Sequence, residues 1–413
     1  MAESLLSGCR ALDLTDEKGF VCGKILAALG VDVIKIEKPG GDPARNTPPY
    51  YHDIPDPEKS LYWMAFNTDK HAITLNIETR QGQDLFRRLA ENADFVVESF
   101  SPGYLDRLGL GYEALRLMNP RIIVTSITSF GQNGPHSHYK GCELVASAMS
   151  GVLDNTGDPD RPPVKEALDS TYFQAGAAAA LGTLISYYHC EMTGEGQQVD
   201  VSLQEVAASR TTSCLMAWQF DRLLLKRLGP RTTLGLVASR WNWPCKDGFL
   251  FWHMLGGLFG APANRALSQW IDEEETENAL RQVTNWDEFD KASMTQETYN
   301  AFEKTIGNFF LKHTKKEIAE ESLKRGVNAC VANDPADVLA NAHLAARSYW
   351  VGLKHPELGM TLNFPKYFFL CNETENFVAC RASAIGADND EIYRKELGLS
   401  SMEVASLKRA NVI

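Results

Sequence analysis

The stretch KEALDSTYFQAG, residues 165 to 176, places a carboxylate, Asp169, and a phenol, Tyr172, just ahead of a run of small apolar residues. A carboxylate can act as a nucleophile in acyl transfer and divide one hard exchange into easier steps, whereas a phenol with a pKa of about 10 stays protonated at neutral pH. Three residues apart on a helix, the two side chains would lie about 300° around the axis and roughly 4.5 Å along it, so they would point in broadly similar directions. Asp169 followed by Ser170 and Thr171 also reads as a helix N-cap, so a structural role competes with the chemical one.

Most other chemistries lack their residues. No G-x-S-x-G elbow occurs, the nine histidines form no H-E-x-x-H pattern, and the nine cysteines include no C-x-x-C pair. Neither a metal site nor a disulfide framework is therefore expected, and His189 and His253 read as structural or surface residues. Lys38 after VIKIE, Arg107 in SPGYLDRLGLG and Lys140 in GPHSHYKGCEL follow β-rich runs. They could hold the phosphates of an anionic ligand, or each could be a solvated surface charge. Gly256, Gly257 and Gly260 in MLGGLFGAP could let backbone approach a ligand closely, or could cap a helix.

The elements that must position these residues follow from pattern. CRALDLT, VDVIKIEKPGG, HAITLNI, DFVVESF and RIIVTSITSFG read as strands, alternating with the helical stretches FVCGKILAALG, GQDLFRRLAEN and YEALRLMN. That alternation predicts an α/β fold with a parallel, doubly wound sheet. The first turn, TDEKGF, has no G-x-G-x-x-G, so Glu37 at the end of the second strand does not make a dinucleotide site. Residues 166 to 225 read as helical, and breaks near LKRLGPRTTLG and LKRGVNACVANDP divide the chain into 1–225, 226–330 and 331–413. The last of these returns to α/β patterning and ends in the helix SSMEVASLKRANVI.

The chain has 413 residues, 44% hydrophobic and 23% charged, enough for a large core and two domains. A net charge of −12 argues against nucleic-acid and anionic-membrane partners. The apolar run from Ala175 to Ile185 is shorter than the roughly 20 residues that span a bilayer, and MAESLLSGCR lacks a secretory pattern. A cytoplasmic protein with reduced thiols is expected.

Several stretches together resemble the class III CoA-transferases: LGVDVIKIEKPGGDPAR, NTDKHAITLNI, ADFVVESFSPGYLDRLGLGYEAL, NPRIIVTSITSFGQNGP, MTGEGQQVDVSL, HLAARSYW, HPELG and LGLSSMEVASL. The resemblance covers nearly the whole chain. It implies a Rossmann-like large domain built from both chain ends, a smaller α/β middle domain, and two chains interlocked as a dimer. The substrate implied is a coenzyme A thioester, with no cofactor. In the implied mechanism an aspartate attacks the donor acyl-CoA and passes through an anhydride and an aspartyl-CoA thioester before CoA reaches the acceptor acid.

Carried over by position, the CoA contacts fall on Lys38, Leu75, Ser99, Tyr104, Arg107 and Lys140, and the active-site loop on Gly256, Gly257 and Gly260. Ser99 replaces the usual Asn, and TDEKGF is one residue shorter than the family loop and lacks its AGP triplet. The family nucleophile stands in Asp-x-x-x-Gly before Thr-Gly-x-Gly-Gln. Ungapped register from Thr193–Gln197 places the glycine on Gly176 and the nucleophile position on Tyr172, leaving Asp169 as the fallback. The missing aspartate, LTDEKGFVCGK and GDPARNTPPYYHDIPDPEKSLYW resemble the succinyl-CoA:(R)-benzylsuccinate CoA-transferases of anaerobic toluene degradation, whose two different subunits are both family members. That resemblance implies a non-catalytic chain partnered by a homologous catalytic subunit. The alternatives are a self-sufficient homodimer using Asp169, a CoA-binding regulatory protein, and the family's racemase branch. The last lacks both its acid, at Tyr172, and its histidine, at Cys142.

Overall fold

Short runs rich in Val and Ile, buried on both faces, build a parallel sheet. The structure, a computed structural model, describes residues 4–234, 237–275, 277–366, 368–372 and 380–413. The first three residues of MAESLLSGCR and the last residue of LKRLGPRTTLG lie outside these. The strands are β1 (Arg10–Leu14), β2 (Asp32–Glu37), β3 (Lys70–Thr74), β4 (Phe95–Glu98), β5 (Ile123–Thr128) and β6 (Gln198–Ser202), all parallel in the order β3-β2-β1-β4-β5-β6. This is a doubly wound, Rossmann-like order, and it reverses direction between β1 and β4. The sixth strand lies inside the segment expected to be wholly helical. QVDVS has only two β-branched residues between a turn and a helix, too short a signal to interrupt the surrounding helical pattern.

Alternation along the strands fills two layers. On one face Leu12, Leu14, Ile34 and Ile36 pack with Phe86 and Tyr393. On the other, Ala11, Val33 and Phe95 pack with Leu26, Ala175 and Ala179. The helices of this unit are α1 (Phe20–Ala28), α2 (Leu61–Phe66), α3 (Arg80–Ala90), α4 (Tyr104–Arg107), α5 (Tyr112–Arg116), α6 (Glu143–Met149), α7 (Ser170–Thr193), α8 (Leu203–Ser209) and α9 (Thr212–Asp221). One face of α7 leaves Leu181, Ile185, Tyr188 and Met192 exposed at helical spacing.

The chain divides into two compact units. The first comprises Met1–Asp154, Lys165–Leu225 and Ala345–Ile413, and the second comprises Asn155–Val164 and Lys226–Leu344. The boundary expected after residue 330 falls later because the strand Cys330–Ala332 pairs antiparallel with Gly248–Phe251 of the second unit. In the second unit β7 (Arg231–Leu234) and β8 (Val237–Arg240) form a hairpin. There β9 (Asn242–Cys245), β10 (Gly248–Phe251) and β11 (Cys330–Ala332) form an antiparallel sheet. Together with α10 (Gly257–Glu274), α11 (Gln296–Phe310) and α12 (Lys315–Arg325) they enclose an aromatic core of Trp243, Trp252, Trp270, Phe302 and Phe310.

Among the described residues the tail strands β12 (Trp350–His355) and β13 (Met360–Pro365) pair only with each other, as an antiparallel hairpin, and do not extend the parallel sheet. The helix Ser401–Arg409 forms behind a capping box of Ser400 and Glu403. Among the described residues no helix is long and apolar enough to cross a membrane.

Candidate active site

Two anchors fix the register of α7. A Cβ on Gly176 would lie 2.6 Å from the Val21 Cβ and 3.0 Å from the Cys22 backbone nitrogen, so α7 approaches α1 this closely only because residue 176 is glycine. Seven residues on, the Thr183 and Thr125 hydroxyls hydrogen-bond at 2.7 Å and hold α7 on β5. Together they set where Tyr172 falls, one turn before Gly176.

Tyr172 is 7% exposed. Its Oη accepts the Glu143 N–H at 3.0 Å, capping α6, whose N-cap residue Cys142 gives no side-chain cap. Burial pushes the phenol pKa up; the Glu143 N–H opposes the shift, and Glu17 and Asp16 add to it. The group that the family resemblance assigns to the nucleophile position is thus a protonated phenol committed to a structural hydrogen bond.

Asp169 occupies the N-cap position of α7 but makes no side-chain cap, contrary to the capping expected of it. Leu168 has φ +65°, and Asp169 follows at φ −91°, ψ 62°, which is not the extended conformation a capping side chain needs. Its carboxylate instead accepts from Lys165 Nζ at 2.9 Å. The start of α7 is served from α6: Glu143 Oε1 accepts the Thr171 N–H at 3.4 Å. The two helix starts therefore cap each other through Tyr172 and Glu143, an arrangement no local pattern in the sequence announces.

At the C-terminal ends of the strands, where β1 and β4 diverge, lies a cavity of about 260 Å³ lined by Thr15, Asp16, Lys38, Leu75, Ser99 and Phe100 among others. Open α/β sheets bind ligands at this switch point. Lys38 Nζ donates to Glu78 at 3.0 Å, and the Tyr104 hydroxyl donates to the same carboxylate at 2.9 Å. The Arg107 guanidinium lies 5.8 Å from the Tyr104 ring centroid. The structure thus brings Lys38, Leu75, Ser99, Tyr104 and Arg107 to one side of the sheet. An arriving phosphate would take Lys38 from an exposed carboxylate, which costs little because exposed ion pairs contribute at most about 1 kcal/mol.

Ser99 holds the first loop as well as lining this crevice. Its Oγ accepts the Asp16 N–H and donates to Asp16 Oδ1, both at 2.8 Å, tying the shortened first loop to β4. Below the crevice Glu98 is buried, which pushes its carboxyl up to about 7 against hydrogen bonds from Ser126 and the Phe100 N–H. Glu37 is held bidentate by Arg45 at 2.6 and 2.8 Å and so is not available to a ribose.

Lys140 stands apart, exposed in the loop between β5 and α6. The three glycines belong to the second unit, at the start of a helix. Gly256 is the N-cap of α10, Gly257 takes φ +64°, and a Cβ on Gly260 would lie 1.9 Å from the Leu255 carbonyl oxygen. Phe259, between them, is 97% exposed. His253 bonds Ser239 and Lys291, and His189 bonds Gln197. Among the described residues no cluster of metal-ligating side chains occurs.

Comparison with known proteins places this geometry. A family model described as CoA-transferase family III matches residues 6–389. The chain is 31% identical to the BbsE subunit of succinyl-CoA:(R)-benzylsuccinate CoA-transferase from Thauera aromatica, covering 98% of this chain and 97% of that one. It is 30% identical to succinyl-CoA–D-citramalate CoA-transferase from Chloroflexus aurantiacus, covering 96% and 94%. Its fold matches the crystal structure of a CaiB/BaiF family protein from Brucella suis with a TM-score of 0.80 at 24% identity, over 95% of this chain and 99% of that one. With the doubly wound sheet, the switch-point crevice and a family match across most of its length, the chain belongs to CoA-transferase family III.

Proposed function

We propose that this chain is the non-catalytic subunit of a heteromeric CoA-transferase, with a homologous partner supplying the nucleophilic aspartate. The observation that carries this reading is Tyr172: the residue in the nucleophile position is a buried phenol whose oxygen caps α6. The exposed apolar seam of Leu181, Ile185, Tyr188 and Met192 on α7 supports association with another chain, because a monomer gains by covering such a face. The interlocked dimer of the family is the form that association takes here.

The donor is succinyl-CoA, which both curated relatives carry in their names, and the acceptor is an acid such as (R)-benzylsuccinate. The partner's carboxylate attacks the thioester carbonyl and displaces the CoA thiolate, leaving a mixed anhydride. The thiolate then attacks the aspartyl carbonyl and releases succinate. The acceptor carboxylate attacks the aspartyl thioester, and the thiolate takes the acceptor acyl group and frees the aspartate. This chain's Lys38, Tyr104, Arg107 and Lys140 contribute CoA binding, and its Gly256–Gly260 segment approaches the partner's active site.

The test is Asp169→Asn in the assembled enzyme, which removes a carboxylate nucleophile at little structural cost. Turnover should survive that change and vanish when the matching aspartate of the partner is replaced. Loss of turnover in Asp169→Asn would establish the self-sufficient homodimer instead.

A further inference from the structure

Helix α1, FVCGKILAA, is apolar except for Lys24, and an ammonium in such a setting needs a partner. Lys24 forms part of the wall of a second cavity in the first unit, of about 480 Å³, which shares no described lining residue with the switch-point crevice. The rest of the wall is mainly apolar and aromatic and includes Val21, Phe66, Phe173, Tyr349 and Phe364. Phe173 and Phe368 are 47% and 44% exposed and leave the cavity accessible.

Lys24 Nζ donates to the Ala65 carbonyl and lies 5.9 Å from the Phe66 ring centroid. Among the described residues it makes no ion pair, and it is the one cation lining the cavity. Burial pushes its pKa down to about 8; Lys70 adds to the shift and Asp69 opposes it. It therefore remains mostly charged at neutral pH, in a mainly apolar wall and, among the described residues, without an ion pair.

We propose that this cavity binds an apolar monocarboxylate of the arylalkanoate type, with its carboxylate on Lys24 and its ring against Phe66, Phe173 and Phe364. The volume falls within the roughly 300–1,000 Å³ of small-molecule sites. A neutral ligand would leave the ammonium unpaired, and a dianion or CoA would bring charges for which the cavity has no second cation. The inference concerns a site separate from the CoA crevice and does not rest on the transferase reading. Because Phe173 adjoins Tyr172, an occupant would bear on the first turn of α7.

The test uses the full chain and phenylacetate, titrated by calorimetry at pH 7. Phenylacetate should bind with a Kd of about 1 mM or tighter, and phenylacetamide, of the same shape without the charge, at least about tenfold more weakly. Lys24→Met, which keeps the apolar stem, should lose the same factor. Raising the pH from 7 to 9 should weaken phenylacetate roughly tenfold as Lys24 loses its proton. Phe173→Ala, at a half-exposed position, should weaken the acid several-fold while preserving its advantage over the amide. Absence of binding up to about 10 mM, equal binding of acid and amide, or unchanged affinity in either variant would overturn the proposal.

Discussion

Changing Tyr172 to Phe removes one hydroxyl and leaves the buried ring in place, so it isolates the role of the oxygen. In the structure that oxygen accepts the Glu143 N–H at 3.0 Å, and Cys142 provides α6 with no side-chain cap. A buried donor left without an acceptor costs about 1–3 kcal/mol, and a lost cap typically about 1 kcal/mol. A loss of about 1.5 kcal/mol is therefore expected. At a urea m-value of about 3 kcal/mol/M this lowers the unfolding midpoint by roughly 0.5 M with an unchanged slope. Amide exchange over residues 142–149 should accelerate by about tenfold, the factor that 1.4 kcal/mol represents. Turnover of the assembled enzyme should be unaffected. An unchanged midpoint and exchange rate would refute the capping role, and abolished turnover in a well-folded variant would make Tyr172 catalytic.

Other outcomes follow from the same geometry. Arg45→Met should destabilise the first unit by about 3–5 kcal/mol in thermal or urea unfolding, because it leaves the buried Glu37 carboxylate without its bidentate partner; a loss below about 1 kcal/mol would contradict this. Arg107→Ala should weaken CoA binding by roughly tenfold in calorimetry, more at low salt, whereas unchanged affinity would remove the residue from the site. Glu98, pushed up to about 7 from 4.5, is protonated in the folded chain where the unfolded chain is ionised. Stability should accordingly fall as pH rises from about 4.5 to 7, by on the order of 3 kcal/mol, and Glu98→Gln should remove most of that fall between unfolding curves at pH 4.5 and 7.5.

The sheet was largely legible because strands buried on both faces read as continuous apolar runs, as in VDVIKIE and RIIVTSI. QVDVS was not, since two valines in five residues do not distinguish a strand from its helical surroundings. The tail hairpin was missed for a different reason: whether a strand joins a parallel sheet depends on its partner, and β12 and β13 find each other.

At the site, the sequence showed a glycine at 176 one turn after Tyr172, but not the close approach of α7 to α1 that requires it. The failure of Asp169 to cap could not be read, since it turns on the positive φ of Leu168. Nor could the bond between Asp16 and Ser99, which are 83 residues apart. Lys24 did leave a signal, a single charge in an otherwise apolar helix, though its cavity requires α2, α7 and the tail hairpin to be assembled.

On the proposed reading the covalent intermediate forms on a partner chain. The most direct measurement is to purify the native complex through this chain, incubate it with succinyl-CoA, trap acyl-enzyme with hydroxylamine and locate the hydroxamate by peptide mass mapping. The expected result is one hydroxamate on an aspartate of a second, homologous polypeptide, with the peptide carrying residues 165 to 176 unmodified. A hydroxamate on Asp169, or a complex containing this chain alone that turns over, would contradict it.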